Sequence, residues 1–351
     1  MKRTENLLIS IPNTLAIFTS LLWGFLKTCI VMISKKEFLP ILAYSIPTYV
    51  LVYPSFFVNT LAREFPYWEA FLLLSLPFLG RIIGSLIYQF FKSYIIPLLT
   101  LSILTLLQID LNIIFPVRFL IGIIFGLMTS YAVDNAVKTN NLVLGLTTAG
   151  WSIGWILSYI AYTTIHNWNQ ICIISSIIIV SIAFLDRRVS LDKIKINISL
   201  PKTSSIIVYF SALTPAFTLQ IIPSIFEKAH TTWLILPSYL LSIAVYAILP
   251  IIASKIGLKR CIIITTLGIL ISGITTFLIT PYTLLPYTSL GLGILSLIPK
   301  YLTTKNEKAN TLGIALNIGS IGGLIIPTLY TIIPTSPESI LVITSIILLT
   351  I

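Results

Sequence analysis

Charge is scarce in this chain: 9% of its 351 residues are Asp, Glu, Lys or Arg, and only 11 of them are acidic. Soluble domains carry about 25% charged residues, so a water-facing surface cannot be assembled from this sequence. Disorder is excluded for the same reason. There are 2 histidines, 3 cysteines and 3 methionines. Neither His166 nor His230 is accompanied by a second His, Cys or acid cluster at ligand spacing, which leaves no pattern for a metal centre. Cys29, Cys172 and Cys261 lie far apart, each in or beside an apolar run, and define no disulfide framework. Buried thiols are expected there. A G-x-x-x-x-G-K loop is missing, which disfavours a self-contained ATP pump. No long loop carries the paired carboxylates that an extramembrane catalytic domain would need. The expectation is a protein that is not an enzyme and carries no cofactor or metal.

What the chain has in abundance is apolar length. It is 56% hydrophobic with a mean hydropathy of +1.00. Runs of roughly 18 to 25 apolar residues recur throughout, each long enough to cross a hydrocarbon core of about 30 Å. Uninterrupted stretches such as Ile171 to Leu185 leave no room for the alternation of a membrane barrel. The fold class expected is an all-α integral membrane protein. Twelve core spans are predicted at 38–60, 67–91, 93–109, 112–136, 141–164, 168–185, 204–226, 231–253, 259–280, 282–300, 309–332 and 336–351. Prolines within them are compatible with transmembrane helices.

The formal net charge of +11 points to topology and not to nucleic acid. With the segment before residue 38 in the cytoplasm and strict alternation, the inner side holds 15 basic residues, from Lys35 to Lys308. The outer side then holds 2, Arg63 and Lys228. That bias supports both the span count and the orientation, with the cytoplasmic membrane as the location. Residues 1–36 stand apart as an N-terminal accessory helix, either a further span or an interfacial segment with Trp23 and Lys27 at headgroup level.

The charged loop DRRVSLDKIKINISLPKTS, beginning at Asp186, follows six spans and precedes six. It divides the chain into 37–185, a cytoplasmic linker at 186–203, and 204–351. A repeat crosses this divide at an offset of 168: Gly145-LTTAGWSIGWILSYIAY aligns without gaps to Gly313-IALNIGSIGGLIIPTLY. Two six-helix halves related by an axis along the membrane normal are the parallel-repeat plan of one large transporter fold.

On these features the sequence resembles the major facilitator superfamily. The family joins its second and third helices by G-x-L-x-D-R-x-G-R-K; here Gly84-SLIYQFFKS retains Gly84, Leu86 and Lys92. The loop recurs between spans eight and nine as Pro250-IIASKIGLKR, with Lys255, Gly257, Lys259 and Arg260. Span four carries Arg118-FLI-Gly122-IIF-Gly126, similar to the family's R-x-x-Q-G, with Ile121 at the glutamine position. Span five carries Gly150-WSI-Gly154, similar to the antiporter pattern G-x-x-x-G-P, with Trp155 at the proline position. The resemblance implies a secondary transporter that moves a small solute by alternating access. It also implies that Asp134 pairs with Lys92 in a cytoplasmic gate, to which Lys255, Lys259 and Arg260 would contribute.

Ionisable residues inside a bilayer are functional candidates by default. Arg118 is placed about 9 Å, and Arg81 roughly 21 Å, from the outer face at 1.5 Å per residue. Substrate binding or coupling is one role for them; packing or bonding to backbone carbonyls is the other. A cavity lined by Tyr44, Tyr49, Asn59, Trp151, Trp155, Tyr209, Gln220, Tyr239, Tyr287 and Asn317 would suit an amphipathic or uncharged solute. No carboxylate lies inside spans one, seven, eight, ten or eleven, so proton coupling has few groups to use and uniport stays open. Gly84, Gly122, Gly126, Gly150, Gly154, Gly319 and Gly323 are expected at close helix contacts. The partners expected are lipid and a small solute, with the chain monomeric. A transporter-like sensor or partner subunit without transport is the alternative.

Overall fold

The computed structural model describes residues 35–61, 63–91, 93–185, 199–218, 234–323 and 337–350. Among these the regular structure is helical, without strands. The helices are α1 (Lys35–Val52), α2 (Val58–Leu61), α3 (Tyr67–Ile87), α4 (Ile95–Leu107), α5 (Ile114–Val137), α6 (Asn141–Thr148), α7 (Gly150–Ile165), α8 (Trp168–Ala183), α9 (Thr203–Thr218), α10 (Ile235–Ile256), α11 (Leu258–Leu278), α12 (Leu284–Gly293), α13 (Ile298–Thr304), α14 (Ala309–Gly319) and α15 (Pro337–Ile347). Residues 1–34, with the expected accessory helix and Cys29, and most of the 186–203 linker lie outside the described residues.

Helix ends are set by local chemistry. Asn140 Oδ1 accepts from the Val143 amide at 2.8 Å and starts α6. Asn167 Oδ1 accepts from the Gln170 amide at 3.0 Å and starts α8, directly after His166 closes α7 at φ 51°. These are the N-cap and left-handed C-cap devices that allow very short connections. Gly257 at φ 93°, a region nearly closed to other residues, turns the chain between α10 and α11. Pro47, Pro77, Pro215 and Pro250 sit inside helices.

Surface and interior are inverted relative to a soluble protein. Ile173, Ile174, Ile177 and Ile178 of α8 face outward, while Ser175 and Ser176 beside them are buried. On α11, Ile263, Ile264, Leu267 and Ile271 are exposed, while Thr265, Thr266 and Ser272 are buried. A solvent that welcomes isoleucine and rejects serine is hydrocarbon. With several helices long and apolar enough to cross a bilayer, this is an all-α, multi-pass membrane protein.

Among the described residues, 6 helical stretches meet that length and apolarity alone, or 7 if α6 and α7 count as one span bent by 42° at Ala149. This is fewer than the twelve predicted. Two predicted spans, 93–109 and 168–185, form the shorter apolar helices α4 and α8. The 13 residues of α4 rise only about 20 Å, because the chain turns at Gln108 and Asp110. Three more predicted spans, 204–226, 309–332 and 336–351, are described only in part.

The helices pack in definite pairs. In the first part of the chain α3 packs on α5, α1 on α5 and α7, and α4 on α5 and α8. In the second, α10 packs on α12, α9 on α12 and α14, and α11 on α12 and α15. Contacts between the two sets join α10 to α6 and α7, and α14 to α3 and α5.

The α3–α5 contact is the closest. A Cβ built on Gly84 would lie 1.8 Å from the Ile123 carbonyl oxygen, and one on Gly122 would lie 2.1 Å from that of Pro77. One on Gly126 would stand 2.0 Å from the Arg81 carbonyl. Only glycine allows these backbones to touch. Gly150 and Gly154 seat α7 against Tyr44 and Thr48 of α1, Gly319 seats α14 against Tyr209 of α9, and Gly323 lies against Phe78.

Candidate functional site

The two sets of helices meet along a seam with a polar centre. Arg81 on α3 is 2% exposed. Its Nε donates to Asn317 Oδ1 on α14, 236 residues away in sequence. Asn317 Oδ1 also accepts from Thr129 Oγ1 at 3.2 Å. The Asn317 Nδ2 donates to Ser130 Oγ at 2.7 Å, to the Gly313 carbonyl at 2.8 Å and to the Gly126 carbonyl at 3.3 Å. One amide therefore ties α14 to both α3 and α5. The guanidinium lies 4.6 Å from the centre of the Phe125 ring, a cation–π distance. The Tyr44 hydroxyl lies beside it.

Next to this cluster is a cavity of about 20 Å³, lined by Tyr44, Phe78, Arg81, Trp151, Leu213, Ala216, Phe217 and Leu295. That volume is near the minimum for one water. Both sides of the seam contribute to it: Tyr44, Phe78, Arg81 and Trp151 from one, Leu213, Ala216, Phe217 and Leu295 from the other. Two hydrogen-bond donors of lining residues, Arg81 Nη2 and Trp151 Nε1, have no partner. Among the described residues the one ion pair is Asp134 with Lys138, so no described carboxylate neutralises Arg81.

The seam continues through aromatic and hydroxyl contacts. Trp155 on α7 stacks on Tyr239 of α10, with centroids 5.2 Å apart and planes 13° from parallel. Ser242 Oγ on α10 donates to Ser152 Oγ on α7 at 2.6 Å. At one end the Tyr88 hydroxyl donates to the Asn310 carbonyl, and Lys300 Nζ donates to Asn141 Oδ1 at 3.3 Å.

Arg118 sits elsewhere. It is fully buried, and its Nε donates to the Leu73 carbonyl at 3.0 Å. Its Nη1 reaches the Val50 carbonyl at 3.0 Å and Gln108 Oε1 at 3.4 Å, and its Nη2 reaches the Leu51 carbonyl at 2.6 Å. The fork joins α1, α3 and α5 and does not line the cavity. Gln108, absent from the sequence-based candidates, completes this cluster by donating to the Tyr53 hydroxyl at 2.6 Å.

The remaining predicted liners disperse. Tyr49 hydrogen bonds Ser175 Oγ at 2.5 Å. Tyr287 is buried within the second set, 3.0 Å from Thr344 Oγ1 and 3.4 Å from Thr218 Oγ1. Tyr209 is buried beside Gly319. Gln220 and the Asn59 side chain lie outside the described residues. Of the predicted liners, Tyr44 and Trp151 reach the cavity, joined there by Arg81, and Asn317 stands directly behind the arginine.

Of the expected gate, the described residues include Asp134, Lys255, Lys259 and Arg260. Asp134 Oδ2 pairs with Lys138 Nζ at 3.2 Å, four residues on along the same helix end, where side chains share a face. Lys92, its expected partner, lies outside the described residues. Lys255, Lys259 and Arg260 are exposed around the Gly257 turn.

The acid that does join separate elements is Glu307, which the sequence reading missed. Burial alone would raise its carboxyl, but hydrogen bonds from Ser205, Thr311 and the backbone amides of Lys202 and Lys308 bring it below the usual range. One carboxylate thereby binds the amino-terminal ends of both α9 and α14. An acid just before an apolar run, flanked by Lys305 and Lys308, was the available signal, since anions favour helix N-termini.

No family model matches this sequence, and no curated protein matches it.

Proposed function

We propose that the chain is a secondary transporter of the major-facilitator type, with twelve spans in two six-helix halves that move a small solute by alternating access. The observation that carries the reading is the repetition of helix packing. Counted as spans, the pairs 2–4, 1–4, 1–5, 3–4 and 3–6 of the first half recur in the second as 8–10, 7–10, 7–11, 9–10 and 9–12. The second half adds 7–12 and 8–9, which have no comparable counterpart among the described residues of the first. Contacts between halves run through spans 5 and 8 on one side, and 11 with 2 and 4 on the other. Spans 3, 6, 9 and 12 present exposed apolar residues such as Ile103, Ile177, Ile271 and Ile346, as peripheral helices should.

Two halves with their own close-packed helices, meeting along one seam where Gly145 approaches the Tyr246 backbone and Gly313 that of Ser130, are suited to rocking as rigid bodies. With basic loops inside, the Tyr88–Asn310 and Lys300–Asn141 bonds close the cytoplasmic end in this conformation. Arg118 then holds spans 1, 2 and 4 together within one half, while Arg81 and Asn317 bridge the halves.

The test is solute uptake into proteoliposomes against a panel of sugars, amino acids, organic acids and amphipathic solutes. Saturable uptake above protein-free vesicles supports transport. Ligand-dependent stabilisation with no uptake of any solute that binds favours the non-transporting sensor or partner subunit.

A further inference from the structure

Resting on the transporter reading, we infer that the seam contains an anion site: Arg81 and Trp151 receive the anionic head of a small solute whose apolar body lies against Tyr44, Phe78 and Phe217. The argument begins with charge. A guanidinium has five N–H donors and no acceptor, and a buried cation without an acid is costly unless something answers it. Arg81 is 2% exposed, bonds a neutral amide through Nε, meets only the neutral Tyr44 hydroxyl and Phe125 ring besides, and leaves Nη2 unpartnered. Among the described residues no carboxylate pairs with it. The second unsatisfied donor of the same cavity, Trp151 Nε1, can only donate. Both open positions therefore call for an acceptor, and a carboxylate suits a guanidinium best.

Geometry adds a second argument. Arg81 is rigidly mounted, because Gly126 brings the α5 backbone directly against the Arg81 carbonyl and Gly80 and Gly84 flank it on the same helix face. Arg118, by contrast, spends its donors on backbone carbonyls and Gln108. The rest of the cavity wall is apolar or aromatic: Phe78, Leu213, Ala216, Phe217 and Leu295 beside Tyr44. One charged corner in an apolar and aromatic box selects amphipathic monoanions, such as aromatic carboxylates, over sugars or cations. At about 20 Å³ the closed cavity holds no such solute, so binding requires the halves to part. That places the site where alternating access would expose it.

The experiment is thermal stabilisation of the purified full chain in detergent by benzoate and indole-3-acetate, each compared with its neutral amide, benzamide and indole-3-acetamide. The expected result is saturable stabilisation, with each carboxylate at least tenfold tighter than its amide. Arg81→Gln should weaken carboxylate binding about tenfold to a hundredfold, the range of a charge-assisted hydrogen bond; Arg81→Lys should retain part of it. Trp151→Phe keeps an aromatic ring, though a smaller one, and removes one donor, so a several-fold loss is expected there even if Arg81→Gln fails to fold. Amides that match the carboxylates, or no stabilisation by either carboxylate, would overturn the inference. Carboxylate binding without uptake into proteoliposomes would leave the anion site standing and remove transport. Uptake of neutral solutes with no preference for carboxylates would do the reverse.

Discussion

Replacing Asn317 by alanine removes the side chain at which three helices meet. Its amide makes four interhelical contacts: it accepts from Arg81 and Thr129, and it donates to Ser130 and the Gly126 carbonyl. Interhelical hydrogen bonds in membranes average about 0.6 kcal/mol each, so these four contribute roughly 2–3 kcal/mol. The alanine variant also strands a buried guanidinium whose Nη2 already lacks a partner, and a hydrogen bond to a charged group contributes about 1.5–3 kcal/mol in place of the average. The expected destabilisation is therefore about 3–5 kcal/mol. Equilibrium unfolding in mixed micelles of dodecyl maltoside and sodium dodecyl sulfate reads it directly. Asn317→Asp keeps an acceptor for Arg81 while losing the amide donors, and should fall between parent and alanine variant. A loss below about 1 kcal/mol for Asn317→Ala, or a larger loss for Asn317→Asp than for alanine, would refute the assignment of this amide as the bridge between helices.

Gly84→Val should abolish a monodisperse folded species in size-exclusion chromatography, because even a Cβ there would lie 1.8 Å from a carbonyl oxygen of α5 and neither backbone can yield. Arg118→Gln should lower folded yield and unfolding free energy by about 3 kcal/mol or more, through the buried carbonyls it leaves bare. In the molecules that do fold, carboxylate affinity should stay within a few-fold of the parent. Glu307 supplies a pH dependence. Its carboxyl is held below the ordinary value of 4.5, so the unfolded chain binds the proton more tightly and stability rises with pH. That contribution is fully present above about pH 4.5 and is lost as the pH falls through the lower folded value. Melting curves from pH 3 to 7 should show the gap between parent and Glu307→Gln narrowing toward the acid end, and a constant gap would contradict the assignment.

Much of the helical framework was readable because apolar length and basic loops follow directly from the bilayer. Helices stand at the predicted positions wherever the residues are described, and the cap residues Asn140 and Asn167 lie at their starts. Interruptions were not readable. The bend at Ala149 has no proline or charge to announce it. Pro299, which cannot donate to the Leu295 carbonyl and stands just after the 3-10 turn Ile294–Ser296 that separates α12 from α13, passed among the prolines that a transmembrane helix accepts. Glycines were read as contacts between helices, but which helix each would meet depends on packing that hydropathy does not encode.

For the site, Arg81, Tyr44, Trp151 and Asn317 stood out by being polar or aromatic inside apolar runs. What escaped was pairing: nothing in the sequence links Arg81 to a residue 236 positions away. Nor does anything separate Arg118, whose donors end on carbonyls, from Arg81, which keeps one donor free. The lining residues Leu213, Ala216 and Leu295 are indistinguishable in sequence from lipid-facing neighbours.

Motion of one half against the other is the central claim, and the Ser152–Ser242 contact offers a direct handle. These hydroxyl oxygens are 2.6 Å apart across the seam, so Ser152→Cys with Ser242→Cys, in a chain whose native cysteines are replaced, places two thiols within disulfide reach. Uptake of the solute identified in proteoliposomes should be normal in reductant, fall at least tenfold on oxidation, and return on reduction. Undiminished uptake with the disulfide quantitatively formed would contradict alternating access across this seam.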